Sequence, residues 1–138
     1  MPRPFRSCAT VLVTALAASL GGAALATEPP TVVKRETVAG KEVLICGFAE
    51  FDASCKLVRV QTIAVVTPPQ NGKVETRRGP VVIGPNWVGG GNCQGTTLQG
   101  VNVFYLPAPG FTGTDRLSLD VGYSRQRTVR AEVEVIVR

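Results

Sequence analysis

The chain reads as an all-β protein, an antiparallel β-sandwich of about seven strands, on three observations. Asp115 to Tyr123 and Val129 to Val137 alternate between apolar and polar residues, the period of antiparallel strands with one wet face. Pro, Gly and Asn clusters punctuate the chain at close intervals, and nothing after the first 26 residues has helical periodicity. Subtracting those 26 from 138 leaves 112 residues, enough for one two-layer core and not two.

Residues 1–26 carry the three parts of an export signal. Arg3 and Arg6 form a positive start, Val11 to Leu20 an apolar centre, and Ala24-Leu25-Ala26 a small-x-small cleavage site before Thr27. Residues 27–30 are then a short leader, and 31–138 the folded domain. No later apolar run approaches the roughly 20 residues of a spanning helix, so no membrane span is expected after the signal is removed. Taking Arg3 and Arg6 from the formal +5 leaves +3, with both signs mixed along the chain, which does not make a nucleic-acid surface.

Thr31 to Val38 reads as a first strand with edge character, and Ala39-Gly40-Lys41 turns the chain. Glu42 to Gly47 holds Val43, Leu44, Ile45 and Cys46 without a polar break, which suits a buried strand. Residues 48–55 form a mixed connection, and Lys56 to Val66 is a β-branched strand. Asn71-Gly72 predicts a type I′ hairpin turn, because both residues tolerate positive φ, with Val74 to Thr76 running back. Arg77 to Gly100 reads as a long loop broken by Gly79-Pro80, Gly84-Pro85 and Gly89-Gly90-Gly91.

Val101 to Leu106 is the strand leading into a corner that organises the rest, Tyr105-Leu106-Pro107-Ala108-Pro109-Gly110-Phe111-Thr112-Gly113-Thr114-Asp115. Pro107 and Pro109 cannot donate to a ladder, and Gly110 and Gly113 permit backbone angles closed to other residues. Phe111 should fold over the core edge, and Asp115 should accept hydrogen bonds from corner amides. For the last hairpin both faces agree on one register. Val121 opposite Val129, Leu119 opposite Ala131 and Leu117 opposite Val133 fill the inside, while Asp120 meets Arg130 and Arg116 meets Glu134 outside. The connecting Ser124-Arg125-Gln126 lacks the Gly such loops prefer. Together these strands predict an immunoglobulin-like architecture.

The chain from residue 58 to 138 also resembles the bacterial cadherin-like or immunoglobulin-like modules of exported and surface proteins. Their Pro-x-x-Gly-x-Val hairpin appears as Pro69 to Val74, their Tyr-x-Pro as Tyr105-Leu106-Pro107, and their Gly-Phe-x-Gly-x-Asp corner as Gly110 to Asp115. The resemblance implies an immunoglobulin-like (cadherin-like) fold and no active site. Those modules commonly stand in arrays on large adhesins, whereas here one module follows its own signal.

Cys8 precedes the apolar centre and leaves with the signal, so Cys46, Cys55 and Cys93 remain, in three possible pairings. Cys55 with Cys93 is expected, because it ties the long insertion to the start of the Lys56 strand. On the chain-entropy model that loop contributes roughly 4 kcal/mol, against about 2.5 for Cys46 with Cys55. Cys46 is then a small buried apolar residue.

With no histidine, Ser-His-Asp and Cys-His catalysis are impossible. The acids stand apart, Asp52, Asp115 and Asp120 each without an acidic neighbour, so neither paired-carboxylate chemistry nor a calcium cluster is predicted. Gly89-Gly90-Gly91 lacks the following Lys-Ser/Thr of a phosphate loop. No cofactor, no metal and no enzyme activity are expected. What remains is a contact patch on end loops, built from Arg77, Arg78, Trp87, Arg125 and Arg127 and facing an envelope protein or polysaccharide. The expected role is an exported, non-catalytic interaction module in the periplasm or outside the cell. The alternative is a secreted or periplasmic inhibitor or envelope-stress protein that inserts residues 77–100 into a partner's cleft.

Overall fold

The computed structural model describes residues 30–85 and 91–138; the stretch expected to be an export signal and Trp87 lie outside them. The described residues form β1 (Thr31–Thr37), β2 (Val43–Phe48), β3 (Glu50–Phe51), β4 (Leu57–Arg59), β5 (Thr62–Thr67), β6 (Gly72–Val82), β7 (Thr97–Pro107), β8 (Gly113–Gly122) and β9 (Thr128–Val137). The fold is an all-β sandwich. One sheet has the order β1-β9-β8-β5, the other β2-β7-β6, and β3 and β4 make a small separate hairpin. No helix among the described residues is long and apolar enough to cross a membrane.

The main core lies between the sheets. Leu117, Leu119, Ala131, Val133, Val135 and Val137 meet Ile45, Cys46, Val103 and Tyr105. The alternation of β8 and β9 builds the first half of this core, and the expected register holds at every position. Val121 faces Val129, Leu119 faces Ala131, Leu117 faces Val133, Asp120 faces Arg130 and Arg116 faces Glu134. Arg130 donates to both carboxylate oxygens of Asp120, and Arg116 Nη2 to Glu134 at 3.1 Å. β1 lies at the sheet edge and pairs with β9 in parallel, Val33 beside Val133.

Three expectations are corrected. Lys56 to Val66 is two strands, since β4 pairs with β3 while β5 pairs with β8. The break falls at Val60-Gln61, where Gln61 is buried, and the β-branched run on both sides of it gives no local sign of a change of partner. Asn71-Gly72 is not a type I′ turn, for neither residue has positive φ. β5 and β6 belong to different sheets, so this link crosses between layers. Its geometry is imposed by Asp115, which accepts from the Gln70 and Asn71 amides at 3.1 and 2.9 Å. Thirdly, both ends of the supposed loop from Arg77 to Gly100, residues 77–82 and 97–100, are ladder. β6 and β7 pair without interruption from Gly72 opposite Pro107 to Val82 opposite Thr97. Pro80 is compatible with this because β6 is an edge strand.

The corner from β7 to β8 is built as its residues require. Gly110 and Gly113 have φ of +77° and +132°, and Phe111 packs against the main core. Asp115 is 3 % exposed and ties distant segments together, since it accepts from the Tyr105 hydroxyl at 2.8 Å as well as from the crossover. Burial, and then the neighbouring Asp115, push the Tyr105 phenol well above its ordinary range.

Candidate functional site

The site is assembled at the end of the sandwich where β8 turns into β9. The turn is closed by the Tyr123 amide donating to the Arg127 carbonyl at 2.7 Å. Arg125 and Gln126 both lie in the left-handed region, at φ +61° and +57°, which costs on the order of 1 kcal/mol or more for each side-chain-bearing residue. The Ser124 amide is held by Glu50 Oε2 at 3.0 Å, and the Arg127 guanidinium lies 5.8 Å from the centre of the Tyr123 ring. Burial raises the Tyr123 phenol above its ordinary value. Arg125 and Arg127 are exposed on this turn.

Glu50 belongs to the β3–β4 hairpin, where it faces Arg59. Asp52 Oδ1 accepts from the Ser54 and Lys56 amides at 2.9 and 3.0 Å, which shapes the hairpin's tip. Cys55, at φ +60°, is joined to Cys93 across a Cα–Cα distance of 5.4 Å, as expected. Cys46 is buried in the main core as expected, but it is disulfide-bonded and not the unpaired small apolar residue that was expected.

This disulfide belongs to a second core. Val81, Ile83 and Cys93 are buried there, packed with Ala49, Phe51, Cys55 and Leu98. Val81 faces Leu98 in the ladder, on the side of β7 opposite to Val101, Val103 and Tyr105. The hairpin therefore covers the outer face of the three-stranded sheet. A Cβ at Gly100 would meet the Phe48 carbonyl oxygen and lie 2.8 Å from Val81 Cγ2, so the close crossing requires glycine there. The segment around Cys93 is fastened by the Ile83 amide on the Thr96 carbonyl and the Gly95 amide on the Ile83 carbonyl, at 2.9 and 2.8 Å.

The expected patch is not gathered in one place. Arg125 and Arg127 sit on the β8–β9 turn, whereas Arg77 and Arg78 are in the middle of β6, in the other sheet. Arg77 is not a loop charge. It makes paired contacts with Glu42 at 2.8 and 2.7 Å and with Glu75 at 2.9 Å, and its guanidinium is 4.4 Å from the centre of the Phe104 ring. Hydrogen bonds from Arg77 hold both carboxyls below their ordinary values, and those carboxylates raise the guanidinium in turn. Trp87 lies outside the described residues.

Glu50 and Tyr123 were not expected at this site. Tyr123 could have been found as the last alternating residue before a turn; Glu50 has no sequence signal, because its partner is 74 positions away. Among the described residues no three His, Cys, Asp or Glu side chains form a metal group. Compared with known proteins, the chain matches no family model and no curated protein. The turn places the exposed Arg125 and Arg127 side chains beside the half-buried Tyr123 ring.

Proposed function

We propose that the chain is an exported, non-catalytic immunoglobulin-like module of the cell envelope, whose β8–β9 end meets an acidic envelope protein or polysaccharide. The observation that carries this reading is the Arg125–Gln126 pair in left-handed backbone where glycine would be cheaper. Strain held at an exposed tip points to a use for the side chains placed there. The sheet orders and the parallel β1–β9 pair support the immunoglobulin-like assignment. The Cys55–Cys93 bond supports export, since disulfides persist in oxidising compartments. Cleavage after Ala26 is checked by the mass of the mature chain, which should begin at Thr27.

The inhibitor alternative draws less support. Arg77 to Val82 and Thr97 to Gly100 are ladder residues, and Ile83 and Cys93 are buried in the second core instead of standing out from it. The test is capture from envelope extract by the mature protein, compared with Arg125→Ala/Arg127→Ala and with Arg77→Ala/Arg78→Ala. Loss of recovery with the first pair alone is expected. Equal recovery with all three proteins sinks the β8–β9 contact, and loss only with the second pair moves the contact to β6.

A further inference from the structure

Among the described residues four strands lie at the edges of the two main sheets, and β5 differs from the other three. β1 carries Lys34 and Glu36, and β6 carries Lys73, Glu75 and Arg77. β2 is uncharged, but every residue in it is buried or half-buried. β5, Thr62-Ile63-Ala64-Val65-Val66-Thr67, has no charged residue and is exposed at all positions except Ile63. Val65 and Val66 are 44 % and 43 % exposed. Val65 faces fully buried Leu119 in the ladder, so it points to the inner side and is left uncovered at the margin of the sandwich. Exposed edges are ordinarily guarded by charge, proline or a covering segment; along β5 the guard is absent until Pro68.

We propose that β5 joins two copies of this chain, edge to edge and antiparallel, so that two four-stranded sheets become one of eight. A second copy fits because the strand is complementary to itself. A two-fold axis normal to the sheet keeps each residue on its own face, which admits only registers that pair residues of equal parity. Centred on Ala64, the smallest side chain of the strand stands on the axis. Ile63 then lies against Val65 of the partner copy on the inner side, and Thr62 meets the bulged Val66 of the partner copy at the end of the contact. Apolar area that each copy leaves in water is covered by the other, and no like charges meet. The bulge between Val65 and Thr67 and the following Pro68 end the ladder at the same place in both copies. Confined to one short strand from each, the contact falls below the roughly 1,200 Å² of stable complexes, so the dimer is weak and half-formed on the order of 100 µM.

Sedimentation equilibrium from about 10 µM to 1 mM covers that range. The protein should have its disulfide intact, and Ala64→Lys, Val66→Lys and, as a control on another edge, Thr76→Lys should be run beside it. The expected result is a mass that climbs toward twice the monomer for the parent protein and for Thr76→Lys. Ala64→Lys and Val66→Lys should weaken association at least tenfold with unchanged thermal midpoints; Val66→Lys decides if Ala64→Lys does not fold. In parallel, hydrogen exchange of the β5 amides should slow as concentration rises. A parent protein monomeric to 1 mM overturns the proposal. So does a dimer indifferent to both lysines, or one weakened by Thr76→Lys instead.

Discussion

At Arg125 and Gln126 the backbone holds a conformation that neither side chain favours. Replacing the pair by Asn-Gly, the residues such a turn prefers, should raise stability by about 1–2 kcal/mol, read as a higher urea midpoint at unchanged m-value. If stability does not move, the turn is not strained and the functional reading loses its main support. Tyr105 acts in the other direction. Its hydroxyl donates to the buried carboxylate of Asp115 and approaches the Asn71 carbonyl at 3.3 Å, so Tyr105→Phe should cost about 1.5–3 kcal/mol. The phenol is raised in the fold above its ordinary value of 10.0. A raised group contributes stability that is fully present below the unfolded value and is lost as pH rises through the folded one. The parent protein should therefore lose stability above pH 10 along a limb that the Tyr105→Phe variant lacks, measured by urea titration at each pH. The sequence made the Pro and Gly positions of this corner legible, because their constraint is local. It also marked Asp115 as an acceptor, but its donors in the crossover lie 44 and 45 residues away, and no local pattern names a partner so distant.

The elements divide the same way between what is local and what is not. The β8–β9 pair could be read in full because burial on one face and charge on the other specify the same register, and a slip by one residue would ruin both. Arg130 holds the Asp120 carboxyl below its ordinary value of 3.8. A depressed carboxylate contributes stability present above the unfolded value and lost as pH falls through the folded one, so acid should weaken this hairpin below about pH 4. Arg130→Ala should flatten that acid limb of the urea-midpoint profile; an unchanged limb would show that the pair does not couple to folding. The β6–β7 hairpin was hidden because Gly79-Pro80 and Gly100 signal breaks. On an edge strand the proline breaks nothing, and Gly100 is there for clearance beneath Phe48. Gly100→Ala should accordingly destabilise by about 1–3 kcal/mol, as overpacking does. A neutral result in thermal denaturation would mean that the chain leaving β2 can move aside.

For the molecule as a whole, strand alternation was enough to foretell two layers, since every clear period-two segment needs an apolar partner surface. It could not foretell a second core on an outer face, because Val81 and Leu98 are ordinary strand residues until the β3–β4 hairpin lies over them. The two cores differ in extent. The main one spans both sheets, whereas the second is small and crossed by the Cys55–Cys93 bond. That bond removes loop entropy both from the unfolded chain and from any partly opened state in which the hairpin has lifted away, and the model value for such a loop is about 4 kcal/mol. Reduction should therefore be felt first where the local opening occurs. The expected outcome is a protein that keeps its β spectrum on reduction, while amides of residues 50–59 and 91–96 exchange about 100-fold faster or more and those of β8 and β9 stay protected. A uniform loss of protection across β8, β9 and the hairpin would show that the two cores unfold as one unit, and that the disulfide stabilises the whole sandwich instead of securing its outer hairpin.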